Sequence, residues 1–384
     1  MHMVKRRFWL AAIEKRWKRR PVLWLSGIRR CGKTVLCQSL ADAEYFDCEL
    51  PRTRARLEDA QSFLESVPGR RIVLDEIHRL PNPAELLKIA ADHYPRVRVL
   101  ATGSSVLEAS VKFKDTLTGR KETLWLAPMI EADMEDFGNR DLDHRLLNGG
   151  LPPFFLEAAP LGRDFQEWMD SYWAKDVQEL FRLERRASFQ KFLELLFARS
   201  GGLFEATKYA APCEVSRGTI ANYLKAAEAT YIAHVLRPFS AHKPTEIVSA
   251  PKVYAFDTGF VCYFRGWDKL RASDRGDLWE HFVLNELMAR LQSRAVNYWR
   301  TKQGREIDFV LPRRGGEVLA VECKLSQKDF DPAAMAAFRR LHKSGANFAV
   351  CRDVDKPYSR RYGDISVRLT GLADFVKDVC GDGQ

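Results

Sequence analysis

The chain has 384 residues, 46% of them hydrophobic, which supports packed cores, excludes a disordered polymer and makes two or three domains the expectation. A formal net charge of +10 and a pI near 9.2 favour a polyanionic partner. Eight cysteines without a CxxC or other metal-ligand spacing point to a reducing cytoplasm, and the absence of a long apolar run or of an apolar core behind the basic first residues leaves no expected membrane span or signal peptide.

Met1 to Arg20 carries eight Lys/Arg against one acid, Glu14, and reads as a short basic helix. Such a helix is a solvated face or, alternatively, a phosphate-backbone contact. Val22-Leu23-Trp24-Leu25 then reads as a strand. It runs into Gly27-Ile28-Arg29-Arg30-Cys31-Gly32-Lys33-Thr34, an ungapped match to G-x-x-x-x-G-K-[ST], and Val35 opens a segment suited to a helix. The two glycines permit a tight turn whose N–H groups point at phosphate oxygens. Lys33 is placed to reach the β- and γ-phosphates, and the Thr34 hydroxyl to ligand Mg²⁺. Residues Gly27 through Val35 are therefore the candidate ATP contacts, with Cys31 an oxidisable residue inside the loop.

Arg71-Ile72-Val73-Leu74-Asp75-Glu76 is an apolar strand ending in two acids, the Walker B pattern. Asp75 is expected in the Mg²⁺ shell, and Glu76 is expected to orient or deprotonate the attacking water. The next strand, Arg96 to Ala101, leads to Thr102-Gly103-Ser104-Ser105. Ser104 is the candidate γ-phosphate sensor, with Thr102 and Ser105 as neighbours, and a plain turn is the alternative. Alternating strands and helices over this stretch predict a three-layer α/β domain with a mainly parallel sheet.

These segments (GIRRCGKT, IVLDEIHRLPN, VLATGSS and the LTGR ending at Arg120) resemble a prokaryotic AAA-type (AAA+) P-loop ATPase family that joins an ATPase to a winged-helix segment and a C-terminal restriction-endonuclease-like domain. The resemblance implies that Arg120 is a candidate finger entering a neighbouring subunit's site, hence a homo-oligomer with a hexameric ring as the expected form. A surface salt bridge is the alternative role for Arg120.

Gly149-Gly150-Leu151-Pro152-Pro153 marks a boundary. A helix over 165–183 carries an apolar stripe that includes Trp168, Tyr172, Trp173 and Val177, and it reads as core packing. Residues 189–239 look like a winged helix-turn-helix. Ser216 is the N-cap of its recognition helix, and Arg217, Asn222 and Lys225 are the candidates to face a DNA groove. A rigid arm packed on the ATPase is the alternative.

The third region begins near Lys252. Asp308 precedes Glu322-x-Lys324 by fourteen positions (322 − 308), the D…(D/E)xK spacing of restriction-endonuclease-like folds. Asp308 and Glu322 on adjacent strands, with Glu280 from the preceding helix, are the candidate ligands of a divalent ion, and Lys324 is the candidate to polarise water. A scaffold that binds without cutting is the alternative.

The expectation is thus an α/β chain with a P-loop NTPase sheet of the AAA+ (ASCE) type over 1–140, a helical and winged-helix middle over 141–250, and a PD-(D/E)xK nuclease-like α/β domain over 251–384. ATP and Mg²⁺ are the expected cofactors, DNA the expected partner and the cytoplasm the expected location. The leading function is an ATPase acting on DNA, with branched or recombining DNA as the candidate substrate. An ATP-gated Mg²⁺-dependent endonuclease and a nucleotide switch in a signalling or defence complex are the alternatives.

Overall fold

Strands buried on both faces read as unbroken apolar runs, and Val22, Leu23, Trp24 and Leu25 are all fully buried. They belong to β1 (Val22–Gly27), which sits inside a five-stranded sheet with β2 (Ala43–Asp47), β3 (Arg71–Asp75), β4 (Arg98–Thr102) and β5 (Lys121–Leu126). The order is β2-β3-β4-β1-β5 and every pairing is parallel. Parallel strands require crossovers, and helices supply them, among them α2 (Lys33–Gln38) after β1 and α3 (Pro83–His93) after β3, while α1 (Arg7–Trp17) precedes the sheet. Leu86, Leu87 and Ala90 of α3 share a core with Val22, Trp24, Ile72 and Leu74. A short helix, α4 (Glu131–Asp136), follows β5.

The computed structural model describes residues 4–103, 111–178, 185–239 and 250–381. The chain forms two compact units. One comprises Met1–Arg140, Leu151–Pro153 and Gln166–Glu184, and the other comprises Asp141–Gly150, Phe154–Phe165 and Arg185–Gln384. The helix α5 (Gly162–Tyr172) continues into a π-helical turn, Trp173–Val177, and the aromatic stripe expected there is core: Trp168, Tyr172, Trp173 and Val177 are buried.

In the second unit, α6 (Arg186–Ala198), β6 (Gly202–Leu203), α7 (Thr207–Ala210), α8 (Arg217–Ala229), β7 (Ala233–Leu236) and β8 (Lys252–Ala255) follow in order. The three strands form an antiparallel sheet, β6-β8-β7. The strand at Lys252, read from sequence as the head of the third region, therefore completes the sheet of the middle one. Ser216 caps α8 by accepting from the Thr219 amide at 3.1 Å. Ile220, Tyr223, Ala226 and Ala227 face the core, leaving Arg217, Asn222 and Lys225 exposed.

A long helix, α9 (Ala272–Leu291), precedes a six-stranded mixed sheet of β9 (Asn297–Arg300), β10 (Glu306–Pro312), β11 (Val318–Lys324), β12 (Asn347–Cys351), β13 (Tyr358–Tyr362) and β14 (Ile365–Thr370). Its order is β13-β14-β12-β11-β10-β9, antiparallel at both ends and parallel through β11, β12 and β14.

One buried histidine of α9 joins the turn after α6 to β8. His281 Nε2 lies 2.5 Å from Ser200 Oγ, and its Nδ1 lies 3.2 Å from the Asp277 carbonyl. Ser200 Oγ also accepts from the Ala255 amide at 2.6 Å. A neutral ring with the proton on Nδ1 satisfies all three groups. Burial pushes the ring's pKa down to about 4, with the Asp277 carbonyl opposing. The folded-state pKa lies below the unfolded value near 6.5, so the native state demands the neutral ring. Its stabilisation is complete above about pH 6.5 and is lost as pH falls toward 4, in the limit about 3 kcal/mol. The stability advantage of wild type over His281→Gln, read from urea midpoints, is expected to shrink between pH 7 and pH 4.5. An advantage constant over that range would refute the assignment.

Candidate nucleotide site and acidic centre

The turn between β1 and α2 depends on its two glycines. Gly27 has φ +150°, and a Cβ there would meet the Leu126 carbonyl oxygen at 2.7 Å. Gly32 adopts φ +94° at the entrance of α2. Lys33 Nζ lies inside the loop it serves, donating to the carbonyls of Gly27 (2.7 Å) and Ile28 (3.2 Å). Thr34 and Val35 are exposed at the start of α2, Arg30 is exposed, and Ile28 and Cys31 are buried. A cleft of about 700 Å³ opens over this loop, lined also by Glu76, His78, Arg79, Pro152, Pro153, Lys175 and Asp176. Arg29, Arg30, Lys33, Arg79 and Lys175 make it suited to a triphosphate.

The π-helical turn presents Lys175 and Asp176 to this cleft. Asp176 Oδ2 holds Arg29 Nε at 2.9 Å, and Trp168 Nε1 donates to the Arg29 carbonyl at 3.2 Å. The phosphate loop is thereby tied to the helix after the Gly-Pro boundary. A second tie comes from the N-terminal segment. Arg6 Nη1 donates to the Cys31 carbonyl at 2.9 Å, and its Nε and Nη2 grip both oxygens of Asp133 at 2.9 and 2.5 Å. Neither Arg6 nor Lys175 and Asp176 of this π turn was singled out from sequence.

Because β4 lies between β1 and β3, Thr102 stands beside Asp75. The buried Thr102 hydroxyl donates to Asp75 Oδ1 and accepts from the Glu76 amide at 3.0 Å. Tyr45, another residue that sequence reasoning missed, donates its hydroxyl to Asp75 Oδ2 at 2.6 Å. Glu76 adopts a left-handed backbone, φ +54°, that turns the chain at the end of β3. Its carboxylate lies 3.0 Å from His78 Nδ1. Burial raises its pKa, but the His78 hydrogen bond and the charges of His78, Lys33 and Arg29 outweigh burial and hold it below the usual range. Ionised Glu76 is a hydrogen-bond acceptor for water, the role a water-orienting base requires.

The donors suit Mg²⁺ bound chiefly by phosphates and waters. Both Asp75 oxygens already accept hydroxyls, so Asp75 fits an outer shell, while Thr34 offers an exposed hydroxyl. Ser104 and Ser105 lie outside the described residues. Arg120 is held in its own unit, with Nε 2.8 and 2.9 Å from the Asp92 oxygens.

The acidic centre of the second unit differs from its anticipated geometry. Asp308 and Glu322 do stand on adjacent antiparallel strands, β10 and β11. Each acid, however, already has a protein donor. Glu280 accepts from Lys252 Nζ at 3.1 Å and from the Tyr254 hydroxyl. Asp308 accepts from the Cys323 amide at 2.8 Å, and Glu322 Oε2 lies 3.4 Å from Lys324 Nζ. Burial raises the pKa of both acids, that of Glu322 to about 7. Among the described residues no three His, Cys, Asp or Glu side chains are disposed to hold a metal ion. The expected set of Glu280, Asp308 and Glu322 is therefore already charge-compensated by the protein itself, with Lys252, from β8, beside Glu280 and Lys324 beside Glu322. These residues do not fit a divalent metal.

Residues 19–134 match a family model described as an AAA domain, while 139–271 and 275–371 match two described as domains of unknown function, DUF8612 and DUF4143. With the phosphate loop, the parallel sheet and the Asp75-Glu76 pair, residues 19–134 form an AAA-type P-loop ATPase domain. The chain belongs to the same family as the uncharacterized protein Rv2008c of Mycobacterium tuberculosis, to which it is 30% identical over 325 residues, covering 82% of this chain and 72% of that one. The uncharacterized protein Mb2031c of Mycobacterium bovis matches with the same figures. Among solved structures, the Walker-type ATPase PABY2304 of Pyrococcus abyssi is similar at 16% identity and a TM-score of 0.41, covering 67% of this chain and 95% of that one. A RuvB structure from Thermotoga maritima is similar at 18% identity and a TM-score of 0.28, covering 61% and 88%. No helix among the described residues is long and apolar enough to cross a membrane.

Proposed function

We propose that this ATPase acts on DNA, with branched or recombining DNA as its substrate class, and that it works as a homo-oligomeric ring. In this reading Lys33, Arg29 and Lys175 balance the triphosphate's charge, and ionised Glu76 orients the attacking water. Thr34 and, through water, Asp75 would hold Mg²⁺, which would supply further charge neutralisation at the phosphates. DNA contact is assigned to α8, in a winged-helix reading of the helix-strand-helix-helix-strand-strand order. The observation that carries it is the exposed face of α8 bearing Arg217, Asn222 and Lys225, opposite a face that is wholly core. The overall charge of +10 supports it. Arg120 is assigned to a neighbouring subunit's nucleotide, exchanging Asp92 for that site. This reading assigns the acidic centre no nuclease step, which is supported by the pairing of Glu280 with Lys252 and of Glu322 with Lys324.

The test is Mg·ATP turnover with single-stranded, double-stranded and junction DNA at low salt. Stimulation of several fold is expected, with binding that weakens steeply with salt. Arg217→Ala and Lys225→Ala should each lower the salt slope by about 1 if they contact phosphates. Turnover indifferent to every DNA, with no binding at low salt, would overturn the reading. Mixing Lys33→Ala with Arg120→Ala subunits should restore part of the turnover each lacks, and failure to complement removes Arg120 from the shared site.

A further inference from the structure

We infer that Lys252 is a built-in cation occupying the place of a divalent metal, so that the acidic centre fastens the β6-β8-β7 sheet to the six-stranded domain and takes no Mg²⁺. Lys252 is only 5% exposed, although it opens β8, and its ammonium bridges two acids from different elements. Nζ lies 3.1 Å from Glu280 Oε1 on α9 and 2.5 Å from Glu306 Oε1 on β10. Tyr254, two residues along and on the same face of β8, adds its hydroxyl to the same Glu280 oxygen. The second oxygen of Glu306 accepts from Arg300 Nη1 at 2.9 Å. One strand of the small sheet thus supplies two donors to the acids of the larger domain.

An ammonium and a hydrated divalent ion compete for the same ground. Each neutralises converging carboxylates, and an ammonium already 2.5–3.1 Å from two of them repels a second cation from that position. Glu322 Oε1 is buried without a hydrogen-bond partner, but Lys324 Nζ, 3.4 Å from Glu322 Oε2, already places a protein cation beside that carboxylate. Removing Lys252 reverses the balance, leaving Glu280 and Glu306 without their shared partner and open to a metal. The inference is independent of whether the protein acts on DNA.

The experiment measures Mn²⁺ binding to the full, nucleotide-free chain by electron paramagnetic resonance. Wild type is expected to show no site that Asp308→Asn or Glu322→Gln removes. Lys252→Ala is expected to gain one Mn²⁺ site at least about 10-fold tighter than any in wild type, given the scale of a close charge interaction. Lys252→Ala with Glu280→Gln should lose it again. Lys252→Arg, which keeps the cation, should bind no Mn²⁺. Should Lys252→Ala fail to fold, the Lys252→Gln, Glu280→Gln pair, which removes both charges of the contact, is expected to fold and to melt above Lys252→Gln alone. A wild-type Mn²⁺ site abolished by Asp308→Asn overturns the inference, as does a Lys252→Ala protein that folds and gains no site, or a charge-free pair no more stable than Lys252→Gln.

Discussion

Glu76→Gln is expected to lower ATP turnover by about 10²–10⁴-fold while leaving affinity for a non-hydrolysable ATP analogue nearly unchanged. The split follows from position. Glu76 lines the cleft over the phosphate loop. The amide side chain keeps the shape of the carboxylate but loses the charge that His78, Lys33 and Arg29 sustain. Lys33→Ala should behave differently, weakening analogue binding and turnover together, because an ammonium inside the loop acts on ground state and transition state alike. Thr102→Val offers a check on the backbone. Its hydroxyl fixes both the Asp75 carboxylate and the Glu76 amide, so its loss should resemble a weaker Glu76→Gln. Turnover of Glu76→Gln within about threefold of wild type would remove Glu76 from the chemistry.

What could be read from the sequence was what is local along the chain. The phosphate loop is eight consecutive residues, and Asp75-Glu76 ends one apolar strand, so the periodicity and motif that identify them lie within one window. The groups that hold these residues in place lie far away in sequence. Tyr45 is 30 positions from Asp75, and Arg6 is 127 from Asp133. No local pattern marks a tyrosine or an arginine for such a partner; strand order brings Tyr45 to Asp75, and the packing of α1 against α4 brings Arg6 to Asp133. The acidic centre shows the same limit from the other side. The spacing of Asp308, Glu322 and Lys324 was legible, and the strands pair as their hairpin spacing suggested. Lys252 stands 28 and 54 positions from Glu280 and Glu306. Its one local mark was a charged residue at the head of the buried run Val253-Tyr254-Ala255, and that run pairs with β6 and β7 rather than with the sheet it precedes.

Asp133→Ala is expected to be the most destabilising single change in the first unit. Asp133 is fully buried, and Arg6 is 4% exposed. Asp133 also accepts from Trp9 Nε1 and the Ile130 amide, both at 3.1 Å, joining α1 to the start of α4. Removing the acid leaves a guanidinium out of water without its anion, which costs about 3–5 kcal/mol. A volume-matched apolar pair, Arg6→Met with Asp133→Leu, removes both charges and should recover much of that loss, since buried ion pairs contribute little beyond a well-packed apolar contact. Nucleotide affinity should not recover with it. Arg6 Nη1 is also the donor to the Cys31 carbonyl in the phosphate loop, and methionine supplies no such donor. Stability restored with analogue binding still weakened would make Arg6 a positioning residue of the loop as well as a strut. Urea unfolding of the full chain and analogue titration on the same three proteins separate the two roles, and joint recovery of both would reduce Arg6 to packing alone.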